Sequence, residues 1–286
     1  MILKRTLRQI LPDFVKSNIR TLIRTKELKE FNLLKGVDCF TENLMPKKNT
    51  SLSDIFNSDE IRTFWEESKK EIDIFNVPNG SGGVNPGDRR AIYYLINKFR
   101  PTSVLEIGTH IGASTINIAA ALFKNQKMDG NPVNFTTLDI RDVNSTSEKP
   151  WIEYGTKYAP IQMINELNYG EIVSFVTGNS LKYLENSRER FDFIFLDGDH
   201  SAATVYKEIP LALKSLKKNG IILLHDYYPD GKPLWSDNFT ISGPYLATER
   251  LIKEGADLVV LPLGALQWPT KFNSNITSLA LLMRKN

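Results

Sequence analysis

Cysteine and histidine are scarce in this chain. Its 286 residues include one cysteine, Cys39, and three histidines, His110, His200 and His225. A single cysteine excludes an intrachain disulfide framework and a multi-cysteine zinc cluster. We therefore expect the fold to depend on its hydrophobic core and to form in a reducing compartment. So small a set of histidines makes the position of each one informative.

Long apolar runs and a strong charge imbalance are also missing. Because no stretch of about 18 apolar residues occurs, we expect no transmembrane helix. Hydrophobic residues make up 41% and charged residues 24% of the chain, which excludes wholesale disorder and a fibrous protein. The net charge of +3 is too small to predict a nucleic-acid partner. The length is compatible with one main α/β core.

The positive charge is concentrated at the N terminus. Residues 1–35 carry nine lysines and arginines against three acidic residues, a net charge of +6, so the remainder carries −3. Apolar residues recur there at steps of three and four, as on one face of a helix. The pattern predicts a helix that packs on its own domain or on a partner subunit, or a basic helix lying on a membrane surface. A mitochondrial presequence is a weaker alternative. We expect a cytoplasmic protein, which the membrane interpretation would place at the cytoplasmic face.

A second helix and a glycine-rich segment precede the main domain. Ser58 opens a helical pattern that ends before Pro78. Residues 79–87, rich in Gly, Asn and Pro, form either a plain linker or a loop that wraps a ligand. We therefore divide the chain into an N-terminal helical extension with this loop, residues 1–84, and a main domain, residues 85–286. The apolar residues that share the helix face are Ile61, Phe64, Trp65, Ile72 and Phe75.

Short apolar runs alternate with helical stretches from residue 88 onward. This alternation is typical of βα units and a parallel sheet. We predict an α/β fold, a Rossmann-like doubly wound sheet of seven strands, mostly parallel with the last strand antiparallel. Ligands of such sheets bind beyond the carboxyl ends of the strands. Strands are expected at 104–107, 135–138, 172–176, 191–196, 221–224, 258–261 and 278–283, and helices at 113–123, 161–167, 204–216 and 244–254.

Glycines follow the first predicted strand. Gly108 and Gly112 flank His110 between this strand and the next helix. Such a turn lets the backbone approach a ligand closely and directs helix amides at an anionic group, although glycines also serve turns that bind nothing. The run lacks the features of a phosphate loop and of a full dinucleotide fingerprint.

Polar residues end the second and third predicted strands. Asp139 can accept two hydrogen bonds from ribose hydroxyls, and Ile140 is placed to lie against a purine; an aspartate that caps a turn is the alternative. Gly178, Asn179 and Ser180 suit an adenine edge or the cap of the next helix. These two strand ends therefore favour an adenosine-containing ligand.

Ionisable side chains follow the fourth and fifth predicted strands. Asp197, Asp199 and His200 follow one strand, and His225 and Asp226 follow the other. Neighbouring carboxylates raise one another's pKa unless a cation or a proton lies between them, so the pattern predicts a metal site or an acid/base site. Structural ion pairs are the alternative, although neither motif contains lysine or arginine.

Together these motifs resemble class I S-adenosylmethionine-dependent methyltransferases over residues 85–286. The specific resemblance is to metal-dependent small-molecule and sugar O-methyltransferases of the macrocin type, and residues 104–114 are similar to the family's cofactor loop. It implies S-adenosylmethionine as cofactor. Asn179 stands where the family usually has an acidic residue, and its side-chain amide could still hydrogen-bond the adenine amine. The implied cofactor-binding residues are Glu106, Gly108, His110, Gly112, Ser114, Asp139, Ile140, Gly178, Asn179, Ser180 and Asp197.

The resemblance also implies a catalytic set. The family's Asp-x-x-His motif matches Asp197 and His200, so Asp197 would bind metal and His200 would act as general base. Asp197, His225 and Asp226 would form the metal site. His225 replaces a family carboxylate, which weakens the case for Mg²⁺ and favours Mn²⁺ or another transition metal, or a site without metal. The implied reaction methylates a hydroxyl of a sugar, glycan or other small molecule, and we expect a homo-oligomer.

Other functions fit parts of the sequence. A nicotinamide-dependent Rossmann oxidoreductase would bind adenosine at the same place, but the third glycine of its fingerprint is missing. A metal hydroxylase could hold ferrous iron with His200, His225 and a carboxylate. A noncatalytic membrane-recruited module on a methyltransferase core would use the basic N terminus, but the retained Asp197, His200 and Asp226 argue against it.

Aromatic residues are frequent in the long segment after the fifth predicted strand. Flat side chains of this kind suit stacking on a sugar ring. We expect them either to cover the methyl acceptor or to give the loop a small core of its own. The residues are Tyr227, Tyr228, Trp235 and Phe239.

Overall fold

The computed structural model describes residues 25–49, 51–79 and 83–285. Residues 25–32 are helical, and the rest of the predicted N-terminal helix, residues 1–24, lies outside the described part. Among the described residues, no helix combines the length and apolar character needed to cross a membrane.

Helices and strands alternate along most of the described chain. Two short helices precede the longer ones, and a 3-10 turn, Pro150–Tyr154, lies between the second strand and the fifth helix. The helices are α1 (Leu52–Phe56), α2 (Asp59–Ile72), α3 (Pro86–Phe99), α4 (Thr115–Asp129), α5 (Pro160–Glu166), α6 (Ser180–Asn186), α7 (Ala202–Lys214) and α8 (Gly243–Lys253). The strands are β1 (Ser103–Ile107), β2 (Asn134–Asp139), β3 (Val173–Thr177), β4 (Phe191–Leu196), β5 (Leu216–Leu224), β6 (Leu258–Pro262) and β7 (Ala280–Arg284).

The strands form one seven-stranded sheet in the order β3-β2-β1-β4-β5-β7-β6. Strands β1 to β5 pair in parallel, whereas β7 runs antiparallel to both β5 and β6. The predicted doubly wound α/β fold is confirmed. The order reverses between β1 and β4, which is the topological switch point where ligands of such sheets bind.

The core has two layers, one on each face of the sheet. Successive side chains of a strand point to opposite faces, so Phe193 and Phe195 enter one layer while Ile194 and Leu196 enter the other. Helices α1 and α2 cover the first of these faces, whereas Phe31 of the helix over residues 25–32 is buried in the other layer. From α2 and the turn that follows it, Ile61, Trp65, Ile72 and Phe75 are buried there, as their spacing predicts.

Several elements differ from the sequence prediction, among them α1, which was not predicted, and α7, which ends at Lys214 and not at the predicted Leu216. Helix α3 was not predicted, because its start, Asn85 and Pro86, lies in the glycine-rich run; Asn85 is in fact the N-cap and Pro86 occupies the first turn. Strand β5 begins five residues before the predicted Ile221, because Leu216 already pairs with Phe191 of β4. The register shifts between this pair and the next, Phe193 with Ile221, and the polar residues 217–219 that lie there break the apolar pattern. Helix α7 continues through Pro210.

Candidate active site

A cavity of about 510 Å³ opens at the carboxyl ends of β1 to β5. Its size lies within the roughly 300–1,000 Å³ typical of small-molecule sites. Glu106 and Gly112 lie beside the cavity without lining it. The predicted residues that do line it are Gly108, His110, Ser114, Asp139, Ile140, Gly178, Asn179, Ser180, Asp197, His200, His225 and Asp226.

Gly108 lets the loops after β1 and β4 touch. Its φ of +105° is a conformation that favours glycine. A Cβ at this position would lie 2.2 Å from the carbonyl oxygen of Asp197, far inside van der Waals contact. The backbone N–H of Gly108 also donates to the carbonyl of Leu138, at 2.8 Å. Because Gly108 has no side chain, the carboxyl ends of β1, β2 and β4 can lie in contact here.

Glu106 supports the β1 loop from below the cavity. Its fully buried carboxylate accepts hydrogen bonds from the hydroxyls of Ser114 at 2.5 Å, Thr115 at 2.6 Å and Thr137 at 2.6 Å. Burial raises the pKa of Glu106 to about 7 although these hydroxyls oppose the shift. In this arrangement Glu106 ties the start of α4 to β1 and β2.

Asp139 is positioned by the backbone of two loops. Its carboxylate accepts from the N–H of His110 at 2.8 Å and from the N–H of Arg141 at 3.0 Å. Asp139 therefore caps the turn, as one of the two interpretations predicted, and it also lines the cavity. Ile140 is 67% exposed and gives an apolar surface beside the carboxylate.

The residues after β3 connect the cavity to a buried acid. Asn179 caps α6 by accepting from the N–H of Lys182 at 3.1 Å, and Ser180 donates to the carboxylate of Glu208 on α7. Burial raises the pKa of Glu208 to about 7, and the charge of Asp199 adds to the shift. Glu208 was not predicted from the sequence, because it lies in the middle of a helix.

We expect Glu208→Gln to change the pH dependence of stability. The carboxyl titrates near 4.5 when unfolded and at about 7 when folded. Between these values the folded protein binds more protons, so stability falls as pH rises, by about 1.4 kcal/mol for each unit of pKa shift. The variant stays neutral and its amide oxygen still accepts from Ser180.

The measurement is thermal unfolding of wild type and variant from pH 4.5 to pH 7. The Tm of Glu208→Gln, taken relative to wild type, should rise with pH. Glu185→Gln, on the exposed surface of α6, is the matched control and should follow wild type. Parallel curves for wild type and Glu208→Gln would show that folding does not raise the pKa of Glu208.

The loops after β4 and β5 bring four ionisable side chains together. His225 Nδ1 lies 2.8 Å from Asp197 Oδ1 and 3.6 Å from Asp226 Oδ1. His200 Nε2 lies 3.4 Å from Asp226 Oδ2 and 3.9 Å from Asp197 Oδ1. The acid/base cluster expected at adjacent strand ends is therefore present in the structure.

The charges in this cluster stabilise one another. Burial would lower the pKa of His225, but the carboxylates of Asp197 and Asp226 outweigh it and raise the pKa well above its usual value. Burial would likewise raise the pKa of Asp226, but the His225 and His200 rings lower it to about 2. Asp226 also has a φ of +52°, a conformation uncommon outside glycine and often found at functional sites.

The donor set of the cluster fits a divalent metal ion. Asp197, His225 and Asp226 each offer one ligand atom, and these atoms lie within 4.8 Å of one another. Two carboxylates and one imidazole suit Mn²⁺ or another transition ion better than Mg²⁺, which prefers oxygen ligands.

Asp88 is a member of this site that the sequence analysis missed. It lies in the first turn of α3, fully buried, with Oδ2 3.3 Å from His225 Nε2. The two residues are 137 positions apart, and no motif joins them. Only recognition of Asn85 as the N-cap of a helix, which the sequence analysis did not predict, could have drawn attention to it.

The ends of the glycine-rich loop are fixed at the cavity. Gly83 and Val84 line it. Arg89, in the first turn of α3, donates to the carbonyl of Val84 at 2.6 Å and to that of Pro78 at 3.3 Å. Residues 83 and 84 therefore belong to the cavity wall, and the choice between a ligand-covering loop and a linker stays a prediction.

None of the four aromatic residues singled out after β5 lines the cavity. Tyr227, Tyr228 and Trp235 are buried, and the rings of Tyr228 and Trp235 meet edge to face with centroids 5.8 Å apart. Phe239 is 42% exposed. The arrangement favours a loop with its own small core.

Comparison with known proteins gives one family match and several structures with a similar fold. Residues 105–227 match a family described as a methyltransferase domain. A comparison with curated proteins gave no match.

An O-methyltransferase from Bacillus cereus in complex with SAH has 21% sequence identity and a TM-score of 0.50, over 82% of this chain and 95% of that chain. A proposed O-methyltransferase from Klebsiella pneumoniae has 19% identity and a TM-score of 0.50, over 78% and 90%. These two likenesses concern the fold. The matched residues contain the ends of β1 to β5 that form the cavity, and over these residues the chain is similar to a methyltransferase domain, in agreement with the sequence prediction.

Proposed function

We propose that this protein transfers a methyl group from S-adenosylmethionine to a hydroxyl of a small molecule, a sugar or a glycan. The observation that carries the proposal is that the Asp197, His200, His225 and Asp226 cluster shares one cavity with the loops after β1, β2 and β3. A cofactor on those loops would be next to an acid/base group. The SAH complex of the Bacillus cereus protein supports the same cofactor.

The cofactor would lie along the ends of β1, β2 and β3. Asp139, held by two backbone N–H groups, is placed to accept ribose hydroxyls, and Ile140 gives an apolar surface for the adenine. Asn179 and Ser180 border the adenine side. Gly108 allows close approach of the methionine part, while Glu106 holds this loop from behind. His110, Gly112, Ser114, Gly178 and Asp197 complete the proposed set.

His200 is the proposed general base. Its side chain is 32% exposed and lies beside Asp226, so it is both accessible to an acceptor and held by a carboxylate. A sugar hydroxyl is a weak nucleophile near neutral pH and needs a base within hydrogen-bond reach. The hydroxyl oxygen would form a bond to the methyl carbon as the carbon–sulfur bond breaks. The proton passes to His200, and the sulfur leaves as the neutral thioether of S-adenosylhomocysteine.

Asp197, His225 and Asp226 would hold a divalent ion beside the acceptor. Such an ion would stabilise negative charge developing on the acceptor oxygen. The nearness of these ligands to His200 suits this assignment.

We also propose that the enzyme works as a homo-oligomer.

We expect Mn²⁺ to bind more tightly than Mg²⁺. The single imidazole in the donor set favours the transition ion. Asp226→Asn should weaken Mn²⁺ binding by at least about tenfold because it removes a charged ligand. Calorimetric titration with each metal chloride measures both effects.

Asp230→Asn, an exposed aspartate paired with Lys232, is the matched control and should bind Mn²⁺ like wild type. Wild-type protein that binds neither ion would argue that the cluster works without metal. Equal binding by Asp226→Asn would place the ion elsewhere.

The acceptor can be found by mass spectrometry. The purified protein is incubated with S-adenosylmethionine and an extract of the source cells, and compounds that gain one methyl group are identified. We expect the product to carry a new methyl ether. Methylation on nitrogen or carbon, or cofactor binding without any methylated product, would contradict the proposal.

A further inference from the structure

We propose that Asp88 is a positioning residue of this site: it holds His225 through Nε2 and thereby directs Nδ1 toward Asp197 and Asp226. The inference rests on the function proposed above, and it assigns a role to a residue outside the strand-end motifs. Asp88 does not line the cavity. It lies behind His225, on the side of the ring away from Asp197.

The two ring nitrogens of His225 face different carboxylates. Nε2 lies 3.3 Å from Asp88 Oδ2, and Nδ1 lies 2.8 Å from Asp197 Oδ1. Asp88 comes from α3, whereas Asp197 comes from the loop after β4. A ring held from both sides cannot turn without losing one of these contacts. The orientation of Nδ1 therefore depends on the carboxylate behind Nε2.

The turn that carries Asp88 is rigid. Asn85 accepts from the N–H of Asp88 at 3.0 Å and donates through Nδ2 to Asp88 Oδ2 at 2.6 Å. The carbonyl of Gly87 accepts from Trp268 Nε1 at 2.9 Å. A Cβ on Gly87 would lie 2.4 Å from the carbonyl oxygen of Pro269. Contacts with Trp268 and Pro269, in the segment between β6 and β7, therefore hold this turn in one position.

The negative charge of the buried Asp88 carboxylate is placed beside His225. A buried carboxylate without a partner costs several kcal/mol. Within the described ranges, His225 is the cationic group found within 4.0 Å of Asp88, and the adjacent Arg89 gives its donors to backbone carbonyls. The second oxygen, Asp88 Oδ1, is buried and has no hydrogen-bond partner among the residues that the structure describes. The cost of burying Asp88 is therefore offset by the amide of Asn85, at 2.6 Å from Oδ2, and by the charge of His225, at 3.3 Å from the same oxygen.

Carboxylates placed behind a ligating histidine have a known physical effect. They fix the orientation of the ring and increase its basicity as a ligand, and their removal typically weakens metal affinity or activity by about 10–100-fold. The same magnitude is expected for Asp88, with little change in S-adenosylmethionine binding, because Asp88 lies outside the cavity wall.

The first test observes His225 directly. Protein labelled with ¹⁵N-histidine gives imidazole signals from only three residues, so His225→Gln assigns the signal of interest. In wild type we expect a downfield Nε2–H proton bonded to a carboxylate. The signal should move upfield in Asp88→Asn, which keeps the shape but removes the charge, and should be lost by exchange in Asp88→Ala. An unchanged His225 signal in both variants would overturn the proposal.

The second test uses Mn²⁺ alone and S-adenosylmethionine alone as calorimetric probes. Both Asp88 variants should bind Mn²⁺ about 10–100-fold more weakly and the cofactor within twofold of wild type. Asp59→Asn, an exposed carboxylate in the first turn of α2, is the matched control and should change neither. Equal Mn²⁺ binding by wild type and Asp88 variants would also overturn the proposal.

The outcomes separate this inference from the proposed function. Wild type that fails to bind S-adenosylmethionine contradicts the proposed function, while the histidine signal still decides the role of Asp88. Wild type that fails to bind Mn²⁺ removes only the metal assistance, and the same signal again decides. Loss of cofactor binding in both Asp88 variants, with folded protein, would mean a general structural role and would reject positioning.

Discussion

Gly108→Ala is expected to weaken S-adenosylmethionine binding by at least about 100-fold. The added Cβ would lie 2.2 Å from the carbonyl oxygen of Asp197 and 2.6 Å from its carbonyl carbon. Both atoms belong to backbone, so no side-chain rotation relieves the clash. Overpacking and a left-handed φ each cost about 1–3 kcal/mol, and about 1.4 kcal/mol changes affinity tenfold. Calorimetric titration of the variant with the cofactor measures the loss.

Gly130→Ala separates the clash from the backbone strain. Gly130 ends α4 with a φ of +71°, but a Cβ there would meet nothing within 4 Å. This variant should lose some stability and bind the cofactor like wild type. Binding by Gly108→Ala within threefold of wild type would show that the meeting of the β1 and β4 loops does not shape the cofactor site.

His200→Ala is expected to lower kcat by about 10²–10⁴-fold, the range for loss of a general base. His200 is the accessible imidazole of the cluster, at 32% exposure, and it lies 3.4 Å from Asp226. Its proposed partner is the acceptor hydroxyl. The affinity for S-adenosylmethionine should therefore stay within twofold of wild type. Steady-state kinetics with the acceptor identified by mass spectrometry, together with cofactor titration, measure the two effects.

His200→Gln distinguishes proton transfer from hydrogen bonding. The amide can still bond Asp226 or the acceptor but cannot take up a proton near neutral pH. We expect it to be nearly as slow as His200→Ala. A glutamine variant with wild-type kcat, or an alanine variant that loses cofactor binding as much as turnover, would reject the assignment of His200 as base.

The strand ends could be predicted because parallel pairing aligns them. Once the apolar runs before Asp139, Asp197 and His225 are taken as neighbouring strands, their following residues must share one edge of the sheet. This reasoning uses only local patterns and the connection rules of α/β folds. It predicts that His200 and Asp226 approach each other, and the distance of 3.4 Å agrees with it.

Contacts between distant segments could not be predicted in this way. The position of Glu106 in a motif predicts that it binds the cofactor. Its buried carboxylate accepts hydrogen bonds from Ser114, Thr115 and Thr137, which lie in two other elements. Asp88 contacts His225 because α3 packs beside the end of β5. The two residues are 137 positions apart, and no sequence pattern predicts their contact. Side-chain partners across elements depend on packing, which a periodic pattern does not specify.

Titration of the full chain with S-adenosylmethionine in a calorimeter tests the central claim most directly. The account predicts saturable binding at one site per chain, which Gly130→Ala retains and Gly108→Ala loses. It also predicts no comparable heat with NAD⁺, whose adenosine alone would fit the same strand ends. Folded protein, verified by circular dichroism, that gives no heat with S-adenosylmethionine would contradict the account, and binding of NAD⁺ instead would favour an oxidoreductase.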